Sequence, residues 1–286
     1  MDNLSGWDIH CRMFLRKEFP YLFKLIKKFL PAYRKMRKKY GWGEKNLERY
    51  FVEPDLKQVK RNLQKLPKKD QYLILKIIDV LDKEIKPHWT EKEEILKCLI
   101  RILEKYWKKY SQKAITEIEQ FLDLKVPRKI EVFILFTLRG TSGGGNIGKK
   151  GVTLEIGDLR MPLINSFDVL LHELIHFIEI VDDRDTEKKL EKYGLKRKGE
   201  LLIREAIVGL LCPKGFLSEK LKIGKFKISK YRGDKHYETL FKYKKLLQKI
   251  VSDYFKNKEK QNYWEDFLPK VAAFIKKKRL KKTPLR

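Results

Sequence analysis

The chain has 286 residues, 42% of them hydrophobic and 37% charged, with a formal net charge of +29. That length supports a real hydrophobic core arranged as one large domain or two modest ones. No stretch approaches the ~20 apolar residues a bilayer span needs, and the charged N-terminus lacks the apolar core of a signal peptide, so a cytoplasmic protein is expected.

Three scattered cysteines, Cys11, Cys98 and Cys212, show no CxxC spacing. They exclude a cysteine metal pattern and fit a reducing compartment. High Lys and Glu with little Met or Cys is a thermophile-like composition. The positive excess is either a solvated surface or a nucleic-acid-binding one. It is spread widely, as in "KLIKKFLPAYRKMRKKY" (24–40), and is densest from Lys270 to the end, where eight basic residues occur without an acid.

Residues 1–125 read as helices in series. "YLFKLIKKFLPAYRKM", "QYLILKIIDVLDKEI" (71–85), "EEILKCLIRILEKYWKKY" (93–110) and "QKAITEIEQFLDL" carry apolar residues at helical spacing. Pro87 separates the second of these from the third. His10 and His88 stand alone there and suggest no chemistry.

The pattern changes near residue 125, where a second domain, 126–286, is expected to begin. "IEVFILFTL" (130–138) reads as a strand running into the Gly-rich segment "RGTSGGGNIGKKG", taken as a flexible hairpin turn. No Gly-Lys-Ser/Thr follows, so it is not a phosphate loop. "VTLEIG" (152–157) alternates as a second strand, with Val152, Leu154 and Ile156 on one face.

A helix then follows, with Asn165 or Ser166 as N-cap. It holds "LLHELIH", in which His172 and His176 are i and i+4 and leave one face a turn apart. That spacing lets two imidazoles meet one metal ion. Glu173, offset by one residue, suits a general base rather than a ligand. Chance placement of the chain's five histidines gives on the order of 0.01 His-Glu-x-x-His matches, and burying two histidines and a glutamate in so apolar a run is costly without partners.

Three residues compete as third ligand: Asp182, Glu179 and Glu205. Asp182 would require a turn at Glu179, and Glu179 lies a turn too far along. Glu205 sits in "GELLIREAIVGLLC" (199–212), a second amphipathic helix, inside an apolar stripe that calls for a cation. Arg204 points to another face, and small Ala206 and Gly209 permit close helix approach.

In the order strand, loop, strand, His-Glu-x-x-His helix and Glu-bearing helix, residues 129–212 resemble the gluzincins, thermolysin-like zinc metallopeptidases. The resemblance rests on "GVTLEIG", "LLHELIH" and "REAIVGLL" and does not extend to the N-terminal helices. It implies a predominantly helical α+β protein: a helical N-terminal domain followed by a minimal zincin-type catalytic domain with a small sheet. It further implies one Zn2+ per chain held by His172, His176 and Glu205, with Glu173 as general base. "VTLEIG" would be the edge strand that pairs with a peptide or protein substrate.

The family often places an orienting Asp four residues after the ligand Glu, where this chain has Gly209. Asp168 or a backbone carbonyl would have to replace it. A later His or Tyr that stabilises the oxyanion corresponds here to His236 or Tyr237, with Tyr231 nearby. The alternative function is a basic nucleic-acid-binding protein, using its surface and C-terminal tail, in which the zinc site is structural, vestigial or regulatory.

Overall fold

The structure is a computed structural model describing residues 20–40, 56–136, 142–146, 151–156, 162–182, 185–195, 197–228 and 235–278, though not every side chain within them. In chain order these segments form α1 (Pro20–Tyr40), α2 (Leu56–Leu63), α3 (Lys68–Leu122), β1 (Glu131–Phe136), β2 (Ser142–Asn146) and β3 (Gly151–Ile156). There follow α4 (Leu163–Val181), α5 (Thr186–Lys192), α6 (Arg197–Leu211), α7 (Phe216–Lys220), α8 (Lys235–Asn257) and α9 (Leu268–Lys277). The protein is thus predominantly helical with one small sheet.

The chain divides into two compact units inside α3, at Cys98/Leu99. One comprises residues 2–98 with 136–139, and the other comprises residues 99–135 and 140–286 with Met1. The three helices expected across 71–123 are one continuous helix, and the backbone stays helical through Pro87. An interior proline removes only one donor and crowds one carbonyl.

In the first unit, Met36, Val59, Leu63, Leu66 and Ile74 form a buried cluster. Beside it Asp70 accepts hydrogen bonds from Tyr40 Oη at 2.6 Å and Lys39 Nζ at 2.9 Å.

The second unit is built around α4. Phe167, Leu170, Leu171, Leu174, Ile175, Phe177 and Ile178 are all buried. Asp168, Glu173, His176 and Glu179 are buried as well, so α4 is covered on its polar face too; it packs against β2 and β3 on the sheet and also against α6. Tyr106, Trp107 and Tyr110 of α3 place their rings against Phe167 near the start of α4. Tyr254 Oη and Trp264 Nε1 donate to the carbonyls of Phe121 and Leu122, each at 2.9 Å, fastening the C-terminal helices to the end of α3.

The sheet order is β1-β3-β2, with β2 antiparallel to β3 and Gly143 opposite Leu154. Two expectations change here. The Gly-rich segment contains strand β2 (Ser142–Asn146), because its backbone groups pair with β3 regardless of side chains. "VTLEIG" is the central strand and not an edge: β1 and β2 flank it, and Val152, Thr153 and Leu154 are buried on both faces. A Cβ on Gly151 would meet the backbone of Glu131, which is how closely β1 approaches.

The α4 helix also starts earlier than Asn165 or Ser166. Pro162 lies just outside Leu163, its carbonyl accepts from Asn165 N at 2.9 Å, and Ser166 is buried within the helix. A proline's fixed φ prepares a first turn. Among the described residues no helix is long and apolar enough to cross a membrane.

Candidate metal centre

Helices α4 and α6 bring His172, His176 and Glu205 together, with one donor atom of each within 4.8 Å of the others. Glu205 Oε2 lies 3.5 Å from His172 Nε2 and Oε1 lies 3.3 Å from His176 Nε2. The two Nε2 atoms are 3.2 Å apart. Helical repeat explains the approach: i and i+4 on α4 face α6, whose buried Ala206 allows close contact.

The tautomer of His172 follows from its other nitrogen. Nδ1 lies 2.8 Å from the Cys212 carbonyl, which can only accept, so Nδ1–H donates and the neutral ring has its lone pair on Nε2. That lone pair points at a carboxylate and at a second imidazole, whose own donor or acceptor role depends on its tautomer. With the His176 lone pair also on Nε2, the three groups suit one shared cation.

Two imidazoles and a carboxylate are the donor set of an open zinc site, and the residues present fit that ion. Burial depresses His176 to a pKa of about 4, against the pull of Glu205. Burial also opposes ionisation of Glu205, but the two imidazoles hold its carboxyl well below the usual range. Desolvation lowers and Glu205 raises His172, with a net upward shift.

Of the two groups that could orient His172, Asp168 or a carbonyl, the structure uses the carbonyl of Cys212. Asp168 acts one step further out. Its buried carboxylate accepts Ser218 Oγ at 2.6 Å and Lys214 N at 2.7 Å, fixing the turn that presents Cys212. Burial raises its pKa, against the pull of those two donors. His176 Nδ1 is buried without a hydrogen-bond partner among the described residues.

Neither rival ligand belongs to the cluster. Glu179 is fully buried and faces Arg204, whose Nε is 2.8 Å away, while Thr186 Oγ1 donates to it at 2.8 Å. Asp182 is exposed just past the end of α4. Glu173 is buried one residue from His172.

His236 and Tyr237 lie in the first turn of α8, but their side chains fall outside the described residues, as does Tyr231. Sequence reasoning missed the roles of Arg204, Cys212 and Ser218. Only Arg204 carried a signal, being an arginine beside the candidate ligand in an apolar helix.

Neither a family model, nor a curated protein, nor a solved structure matches this chain.

Proposed function

We propose that the chain is a zinc-dependent metallopeptidase. The observation that carries this reading is the convergence of His172 Nε2, His176 Nε2 and a Glu205 oxygen, with buried Glu173 beside the first. His172, His176 and Glu205 would hold one zinc ion, which supplies Lewis acidity, lowering the pKa of water toward ~7 and polarising a carbonyl.

Glu173 takes the proton from the attacking water at its carboxylate and delivers it to the leaving amine. The Cys212 carbonyl keeps His172 in the tautomer whose Nε2 is free to coordinate. His236 or Tyr237 donates to the developing oxyanion.

The substrate strand cannot pair with β3, which is flanked on both sides. The side of β2 that no strand pairs with among the described residues takes that role, since Gly143–Gly145 carry backbone donors and acceptors without side chains in the way.

The test is Glu173→Gln, which should keep one zinc per chain and lose peptide hydrolysis by roughly 10²- to 10⁴-fold. Undiminished turnover in that variant would overturn the mechanism.

The charge of +29 supports a second reading, a nucleic-acid binder in which the zinc site serves structure or regulation. A cut at Lys270 cannot test it, because α9 buries Val271, Ala272 and Ile275. Removing residues 279–286 is the usable variant. Salt-sensitive binding to arbitrary DNA or RNA that is lost on this cut, with no hydrolysis of any peptide, would favour the second reading.

A further inference from the structure

Gly209 stands inside α6, one turn beyond Glu205. Glycine weakens a helix interior relative to alanine, so this position has a packing reason. A Cβ there would run into Nζ and Cε of Lys244, which reaches across from α8. The end of the Lys244 side chain occupies the space beside the bare glycine, one turn from Glu205 on the same face of α6.

Lys244 differs from the other packed lysines of this unit. Lys258 and Lys220 share Glu117 at 2.9 and 2.6 Å, and Lys189 meets Glu265 at 2.6 Å. Half-buried Lys244 has no hydrogen bond or ion pair among the described residues. Glu205, whose charge it feels, turns its two oxygens to the imidazoles instead. A cation partly withdrawn from water without an anion is costly. It makes sense where an anion arrives with a ligand.

We propose that Lys244 binds a carboxylate of the substrate and thereby sets the specificity of the site, an inference that rests on the peptidase reading. Four residues of helix separate Gly209 from Glu205, a rise of about 6 Å. An extended chain covers that in about two residues at ~3.3–3.6 Å each. The carboxylate is therefore the C-terminal one, a residue or two past the cleaved bond, or an Asp or Glu side chain at that distance. An ammonium is a point charge with three donors, suited to either.

The experiment uses the zinc-loaded full chain carrying Glu173→Gln, so that binding is read without turnover. Calorimetry compares three matched N-blocked peptides: a free C-terminal acid, its amide, and an amide with Asp at the penultimate position.

The acid, or the Asp-containing amide, should bind roughly tenfold or more tightly than the plain amide, as expected for a charge-assisted contact. Which of the two is favoured identifies the source of the carboxylate. Adding Lys244→Met should collapse that ratio to about one, and Lys244→Arg should restore most of it. Lys244→Gln, closer in length and polarity, serves if Met disturbs the packing on Gly209.

Equal binding of all three peptides when Lys244 is present, or a ratio that survives its replacement, would overturn the proposal. Wild-type turnover is then measured on the same peptides. A chain that prefers carboxylates through Lys244 but hydrolyses nothing would remove the peptidase reading and leave the anion site standing. A chain that hydrolyses without such a preference would do the reverse.

Discussion

Helices α4 and α6 bury charge twice, and the two places are built on opposite terms. At one, Glu179 meets Arg204 Nε at 2.8 Å and the Thr186 hydroxyl, while Arg204 also reaches Glu187 at 3.3 Å and the His176 carbonyl at 3.2 Å. Cation and anions are both supplied by the chain. At the other, one turn back along α4 and one residue on along α6, His172, His176 and Glu205 each bring a possible ligand atom to a common centre. The first cluster is complete and locks the helices together. The second suits an added cation, and the first lies beside it on the same two helices.

The largest effect expected from breaking this contrast is at Arg204. Arg204→Ala leaves Glu179 buried without its cation and should cost about 3–5 kcal/mol, read as a lowered denaturation midpoint. Replacing both partners, Arg204→Met with Glu179→Met, should recover most of that, because apolar groups of similar volume are often neutral there. No recovery would mean that Arg204 matters mainly through the His176 carbonyl.

Chelation should act only on the other cluster. Removing zinc from the wild type should lower stability by about 4 kcal/mol if free zinc had stood a thousandfold above its Kd. The same chelator should leave Glu205→Ala unmoved. Equal sensitivity in both would show that the metal sits elsewhere.

Asp168→Asn ranks next. The amide can still accept from Ser218, but it loses the Lys214 N–H, at a cost of about 1–3 kcal/mol. Zinc affinity should fall by roughly tenfold or more, as the turn carrying the Cys212 carbonyl loosens.

The smallest effect is a pH slope. The folded pKa of Asp168 lies above its ordinary value of 3.8. Between those two values the folded state binds more protons than the unfolded, so this residue's contribution to stability falls as pH rises through the window. Asp168→Asn should remove that component from a stability–pH curve of the metal-free protein, and an unchanged slope would contradict the assignment.

Periodicity makes much of the site legible. The i, i+4 histidines and a glutamate stranded in the apolar stripe of residues 199–212 point to one centre from sequence alone. What periodicity does not carry is pairing between distant segments. Nothing in "SGGGN" announces a strand, since β2 forms from backbone groups that every residue has, and the order β1-β3-β2 removes "VTLEIG" from the edge.

The Cys212 carbonyl is equally silent in the sequence, because its use depends on a turn held by Asp168 forty-four residues earlier. Gly209 and Lys244 become a pair only when α6 and α8 pack. Pro87 reads as a break, yet the helix passes through it.

The most direct test is the metal content of the purified full-length chain beside that of Glu205→Ala. One zinc per chain in the wild type, with none in a folded Glu205→Ala, is the predicted result. No metal in the wild type, or zinc kept by Glu205→Ala, would contradict the account.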